Sequence, residues 1–358
     1  MVTGTGSSGN GGGYGYGLTV DGQSDDRLSL ATLIEVDQQL GETTTYRIEL
    51  EADVGSGDLP LLIYSKLDPG SQLSVLAYTP SQNYCLVKGP VHAQEIHLVN
   101  GGAGSVLTVI GSDRSLEMDR ETHTAIWADE TDSDAVASIL ANYGFTTDIQ
   151  TTSAGHYTNK HSLVQRDSDL RFIRRLAQRN GYLFWITCDE KGVETAHFRP
   201  PQLDSQPQTS LAINAQTCQL QSLEIVWDVE QPTSVVNAQL DLNSLETIDG
   251  QAEGSPLTVL GTQDLPAISP DTRSIHLHAP VDDAGDLQNR SKGLLVDSHW
   301  FIRATGETSL HLTGQPLQAH ELVELTGAGS RYSGKYLVAG VRHLISPASH
   351  RMELSLLR

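Results

Sequence analysis

Cysteine is nearly missing from this chain. Its 358 residues hold three, Cys85, Cys188 and Cys218, an odd number without metal-ligand spacing, so no disulfide framework is expected and a reducing cytoplasm is the expected place of synthesis. Long apolar runs are missing too. None approaches the ~20 residues that a bilayer crossing requires, and the N-terminus lacks the basic start and apolar core of a signal peptide. Basic charge is scarce, with 23 Lys and Arg against 44 Asp and Glu and a formal charge of −21. That balance argues against nucleic-acid binding, which draws its affinity from clustered Lys and Arg. Four Trp and five Phe leave little surface for stacking on sugars.

Catalytic and cofactor signatures are equally thin. Gly4-Thr-Gly6-Ser-Ser-Gly9 spells G-x-G-x-x-G, but no strand precedes it and no helix follows, so it does not read as a dinucleotide site. Gly329 to Lys335 fits G-x-x-x-x-G-K, yet Tyr336 stands where a magnesium-binding hydroxyl belongs and a strand pattern follows, as in a hairpin turn. Asp129, Glu130, Asp132 and Asp134 lack the glycine and distal Glu of a calcium loop and read as an acidic helix start. His276 and His278 alternate along an expected strand, and two ligands do not close a zinc site. No G-x-S-x-G elbow is present and no triad can be nominated. The expectation is no catalytic residue, no cofactor and no metal.

What is present is a strongly marked segment from Ser162 to Ile186. Asp167 and Ser168 can cap a first helical turn, and Asn180-Gly181 is a stop that tolerates left-handed geometry. At 100° per residue, Leu170, Phe172, Ile173, Leu176 and Ala177 share one side of this helix, and Arg171, Arg174, Arg175 and Arg179 share the other. Tyr182 to Ile186 then reads as a strand. The four arginines form a basic island in an acidic chain and are the candidate subunit-contact residues, weighed against a merely solvated face.

Elsewhere the pattern is of short strands between turn signals. Residues 1–17, with eight glycines, read as a flexible arm. Residues 18–116 read as a first small β-barrel, with Tyr46, Ile48 and Leu50 alternating and Val106 to Ile110 as a later strand. Residues 117–202 read as an α/β segment holding the Arg-rich helix and a helix capped by Asp132-Ser133. A second copy of the barrel is visible. Cys85-Leu86-Val87-Lys88-Gly89 matches Tyr336-Leu337-Val338-Ala339-Gly340, and Val36 to Gln39 leading to Tyr46, Ile48 and Leu50 parallels Trp227 to Gln231 leading to Val236, Ala238 and Leu240. The second barrel is therefore expected to be split, at 203–243 and 303–358, around an inserted segment, 244–302, with a helix from Asp283 to Ser298 that carries Leu287, Ser291, Leu294 and Leu295 on one face. The fold class is mixed β with α/β insertions, as two similar small barrels, the second discontinuous.

The run Ser168-Asp169, Phe172-Ile173-Arg174-Arg175-Leu176-Ala177, Gly181 and Tyr182 to Trp185 resembles a signature of baseplate hub proteins of contractile phage tails and injection systems. In that family, late control protein D and the N-terminal part of VgrG spike proteins carry it. Thr131-Asp132-Ser133-Asp134, and Ser333-Gly334-Lys335-Tyr336-Leu337-Val338 with His343, resemble two further motifs of the family. The resemblance implies two similar barrels with α/β segments and a non-enzymatic structural role. It implies a homotrimer that adapts a six-fold tail tube to a three-fold spike, with tube and other baseplate subunits as partners. Because the sequence stops at Arg358, just past its last strand, the spike is expected to be a separate protein. The expected location is the cytoplasm during synthesis and then a tail or injection particle. A tail-associated cell-wall hydrolase or a carbohydrate-binding adhesin is the alternative.

Overall fold

The computed structural model describes residues 13–25, 27–28, 31–52, 61, 64–100, 102–158, 162–240, 247–269, 273–277 and 284–358. The first strands are β1 (Gly15–Val20), β2 (Gln23–Ser24), β3 (Ala31–Gln39), β4 (Thr45–Glu51), β5 (Gln72–Tyr78), β6 (Asn83–His97) and β7 (Val106–Ser112). Alternation decides their faces: Ile34, Val36, Tyr46, Ile48, Leu50, Leu107 and Val109 point into one core, and the residues between them point out.

A middle α/β segment follows. It comprises β8 (Ala125–Trp127), β9 (Glu130–Thr131), α1 (Asp132–Ala141), β10 (Thr146–Ile149), β11 (Gly155–His156), β12 (Leu163–Gln165), α2 (Asp169–Asn180), β13 (Leu183–Cys188) and β14 (Glu194–Arg199). The apolar side of α2 is buried as expected, at Leu170, Phe172, Ile173, Leu176 and Ala177, against Phe184, Ala196 and Phe198. Ser168 caps α2, and Gly181 ends it at φ 68. The cap of α1 is one residue earlier than expected. Thr131 accepts from the Asp134 backbone N–H while the Asp134 carboxylate accepts from that of Thr131, a reciprocal box.

The remaining strands and helices are β15 (Thr209–Ala212), β16 (Ser222–Trp227), β17 (Ser234–Leu240), β18 (Thr247–Glu253), α3 (Leu265–Ile268), β19 (Ser274–His276), α4 (Ala284–Leu294), β20 (Ile302–Ser309), α5 (Leu310–Thr313), β21 (Leu322–Thr326), α6 (Gly329–Tyr332), β22 (Gly334–Ser346) and β23 (Ser349–Leu357). The first and last regions join in one 13-stranded sheet, ordered β16-β20-β23-β22-β3-β4-β7-β6-β5-β1-β2, with β21 also on β22 and β15 on β21. The protein is thus mostly β, and among the described residues its pairings form an open sheet rather than a closed barrel.

Within that sheet the two halves repeat one order: β3-β4-β7-β6-β5 in the first, β16-β20-β23-β22-β21 in the second. The matched strands β6 and β22 occupy the same place. The upstream match needs correction at its second strand. β16 answers to β3, but β20, not β17, answers to β4; β17 pairs with β18 and β19 in a separate three-stranded sheet. Pairing across the chain settled this, since the apolar alternation of β17 serves any sheet equally well.

Three other expectations change. Residues 1–12 of the expected arm, including the G-x-G-x-x-G run, lie outside the described residues, but Gly15 and Gly17 belong to β1 and pair with β5. A side chain at Gly17 would run into the Tyr78 ring, so this glycine serves close approach rather than flexibility. Cys85 and Cys188 form a disulfide, with Cα atoms 5.6 Å apart, that ties β6 to β13; a separation of 103 residues hid a purely spatial pairing. Leu294 is 37 % exposed, while Leu287, Ser291 and Leu295 are buried. Asp283 and His278 lie outside the described residues.

Gly293, which reads from sequence as a cost within α4, lets α4 lie on α2. A Cβ there would be 2.9 Å from the Arg179 carbonyl oxygen.

Candidate functional site

The surface the fold builds most deliberately is the outer face of an eight-strand run, β16-β20-β23-β22-β3-β4-β7-β6. Side chains alternate out of the cores onto it. Glu224, Glu307, Glu353, Glu35, Asp37, Glu49 and Glu95 stand there with Arg303, Arg342 and Arg47. Arg342 bridges strands by bonding Glu35 at 2.7 Å and reaching Glu353 at 3.6 Å. Arg47 reaches Glu95 at 3.2 Å across β7. Carboxylates outnumber guanidiniums, so the face repels polyanions. A shallow trough of about 560 Å³ runs over its middle, between Asp37, Glu224, Glu307 and Arg342.

The seam that makes this face continuous lies between β3 and β22. Six residue pairs, Gly340↔Gln39 to Ile345↔Ile34, zip them antiparallel, and Ile345 reaches the core of the first half. Gln38, buried, donates from Nε2 to the Leu86 carbonyl at 2.8 Å and accepts the Ala319 N–H at 3.1 Å. A second clasp holds the α/β segment. Trp185 is stacked between His197 at 4.6 Å and His320 at 3.9 Å, and His320 Nε2 accepts the Gly41 N–H at 3.4 Å. Burial pushes His320 down to about 3, with His197 adding repulsion, so it packs as a neutral ring. Lys88 reinforces the neighbouring disulfide by donating to the Gly192 carbonyl at 2.7 Å. None of Gln38, Trp185 or His320 stood out in the sequence as a joint; only Trp185, within a marked strand, carried any signal.

The four arginines of α2 do not form one free patch. Arg171 is exposed and reaches Asp119 at 3.2 Å. Arg174 holds Glu42 at 3.1 Å and donates to Thr43 at 3.0 Å, fastening α2 to the β3–β4 turn. Arg175 pairs with Asp167 and lies over the Phe172 ring at 5.3 Å. Arg179 is largely enclosed, donating to buried Asp132 at 2.6 Å, and burial holds its guanidinium down to about 10. Asp132 also accepts from Asn180 at 2.7 Å and meets His156 at 2.8 Å.

Among the described residues, no three His, Cys, Asp or Glu side chains gather as a metal site. His276 is exposed on β19. The segment from Gly329 to Lys335 is one helical turn leading into β22, and Lys335 donates to the Ser205 carbonyl at 3.4 Å. A cavity of about 310 Å³ beside Trp227, Phe301 and Arg331 has no Asp or Glu side chain in its lining.

This arrangement, two like half-sheets fused into one with an α/β segment clasped to them, is the fold of known tail proteins. A tail protein from Neisseria meningitidis MC58 superposes with TM-score 0.68 over 96 % of each chain at 15 % identity. The 43 kDa tail protein of prophage MuSo2 from Shewanella oneidensis does so with TM-score 0.69 over 96 % of this chain and 98 % of that one, at 12 % identity. The E. coli c3393 protein, a component of the type VI secretion system, matches with TM-score 0.59 over 95 % and 76 %, at 14 % identity. No curated protein sequence matches the chain. A family model does: the chain belongs to the family described as the Alg8 N-terminal domain, which matches residues 14–347. No helix among the described residues is long and apolar enough to cross a membrane.

Proposed function

We propose that this chain is the structural hub of a contractile tail or injection particle. In this reading it is a homotrimer that adapts a six-fold tail tube above to a three-fold spike below. The observation that carries it is the repeated strand order: two equivalent half-sheets per chain make six equivalent units in a ring of three, so three-fold symmetry can face six-fold symmetry. The likeness in fold to tail and type VI proteins supports the same reading. We assign 18–116 and the split pair 203–227 with 302–358 to two barrel-like modules, 117–202 to the α/β segment, and 228–301 to the insertion. Tube, spike and other baseplate subunits are the partners.

A hydrolase would need paired carboxylates in a cleft. The cavity beside Trp227 has none, and the carboxylates of the trough sit on an open face beside Arg342. Of the four arginines, Arg171 and Arg175 remain placed to meet a neighbour. Electron microscopy of particles purified with this chain tests the reading, with a three-fold hub expected and any other order sinking it. Particles built with Arg171→Glu and Arg175→Glu together should hold their hub more weakly, since exposed pairs contribute little to the fold and like charge opposes docking. Normal occupancy would return both arginines to solvated surface.

A further inference from the structure

The cavity of about 310 Å³ beside Trp227 lies where the insertion folds back on the second half of the sheet. Residues 259–263 and the end of α3 close one side of it, and the start of β20, Arg331 of α6 and Arg358 after β23 close the other. It depends on a segment that the first half lacks, so it is no part of the duplicated frame. Its size falls at the low end of small-molecule sites, roughly 300–1,000 Å³. Trp227, Leu260, Ile268, Phe301 and Ile302 give it apolar walls.

Its polar groups are all of one kind. Arg331 and Arg358 line it and no Asp or Glu does, in a chain where acids outnumber bases 44 to 23. The Arg331 guanidinium lies over the Trp227 ring at 5.1 Å. Arg358 donates from Nη1 to the Ser333 carbonyl at 2.9 Å and lies over the Tyr336 ring at 5.5 Å. None of these partners is an acid, so both cations are held in place without being neutralised. Asp264, whose charge reaches His299, stands outside the lining and caps α3 through the Ala267 N–H at 3.2 Å. Two buried donors, Arg358 Nε and Trp227 Nε1, have no partner among the described residues, and Arg358 is only 8 % exposed. A buried donor without an acceptor is costly and calls for one. Gly261 keeps room beside the first of them: a Cβ there would be 3.2 Å from Arg358 Nε and 3.3 Å from Nη2. Its backbone is not left-handed, so the glycine serves the space rather than a turn.

We infer that this cavity binds a carboxylate carried on an apolar group, with Arg331, Arg358 and the Trp227 indole N–H on the carboxylate and Phe301, Ile268 and Leu260 around the apolar part. A neutral ligand would leave both cations unanswered, and a ligand charged throughout would not suit the apolar walls. The C-terminal residue of a polypeptide and a small free acid share this chemistry. The site occurs once per chain and stands without the hub reading.

Titration of the full chain with N-acetylphenylalanine, 3-phenylpropionate and N-acetylphenylalaninamide tests the site. Calorimetry reads affinity, and the Trp227 indole N–H resonance, assigned by its loss in Trp227→Phe, reads location. At least one of the two acids should bind at millimolar concentration or below and move that resonance downfield. The neutral amide should bind at least about tenfold more weakly, because the charge-assisted bonds are lost. Tighter binding of N-acetylphenylalanine than of 3-phenylpropionate identifies a chain end as the source, and the reverse order a free acid; either keeps the site. Arg331→Gln and Gly261→Ala should each weaken the acid about tenfold, the first by removing a cation and the second by filling the space beside Arg358 Nε. Acid and amide binding alike, no acid binding at millimolar concentration, or binding that leaves the indole resonance in place overturns the inference, as does undiminished binding in both variants. Should Gly261→Ala not fold, Arg331→Gln, at an exposed side chain, decides alone.

Discussion

The two halves of the large sheet share a strand order and differ in almost everything else. In the first half, β3 turns into β4 across 40–44. In the second, the same step from β16 to β20 spans 228–301, a segment with its own three-stranded sheet and helix α4. Loop closure grows slowly with length, so an insertion at a surface turn leaves the ladder intact. Interiors diverge as well. The first core is aliphatic around Tyr46, whereas the second packs Tyr336, Met352 and Phe301 and shelters histidines. His343 Nδ1 lies 2.9 Å from His350 Nε2. The lesson is that backbone pairing and a two-residue alternation preserve the frame, while the side chains filling it are free to change.

The strongest way to break the comparison is to place a charge in each core at matched depth. Val109 of β7 and Val338 of β22 are both 0 % exposed. Val109→Asp and Val338→Asp should each abolish folding of the whole sheet, because an unpaired buried charge costs several kcal/mol against a margin of about 5–15 kcal/mol. Limited proteolysis checks this. If either variant keeps a protected half, the β3–β22 seam does not couple them.

Acid should separate the halves next. Burial lowers His350 and His299 to about 4 and His320 to about 3, and holds His343 well below the ordinary value, with His350 adding repulsion. A depressed histidine stabilises fully above the unfolded value near 6.5 and loses that contribution as pH falls towards its folded value. Two acids run the other way. Burial raises Asp113, which accepts backbone bonds from Thr44 and Ser115, to about 6, and Glu321 to about 7; their contribution is present below about 4 and fades as pH rises through those values. Asp113 belongs to the first half, His320, His343 and His350 to the second, and His299 to the segment inserted between β16 and β20. From pH 7.5 to 5 the second half should therefore lose roughly 2 kcal/mol per histidine, offset in part by Glu321. Hydrogen exchange at both pH values checks it: amides of 334–357 should open first, and earlier opening of 45–51 and 106–112 would reverse the assignment.

The smallest effect tests what is attached rather than the halves themselves. The Cys85–Cys188 bond joins the first half to the α/β segment, and the second half has no equivalent. Cys85→Ala with Cys188→Ala should cost about 2–4 kcal/mol, read as a lower melting temperature that a reductant no longer changes. A melting temperature equal to that of the unaltered protein would mean that the Trp185–His320 clasp and Lys88 hold the joint alone.

Local physics made much of this legible in the sequence. The α2 helix with its cap, stop and buried side was fixed by periodicity and by Ser168 and Gly181. The duplication was fixed at β6 and β22 because both carry the same short apolar run before a histidine. Tertiary structure decided the rest. Whether Gly17 is slack or a close-packed strand residue depends on the Tyr78 ring above it, and whether Gly293 weakens α4 or seats it depends on Arg179. Cys85 meets Cys188, β20 rather than β17 follows β16, and Arg179 turns inward to Asp132 while Arg171 stays out. Each of these outcomes joins residues far apart along the chain. Propensity and period act over a few neighbours, whereas strand partners, buried ion pairs and disulfides are chosen by which surfaces the folded chain brings within bonding distance.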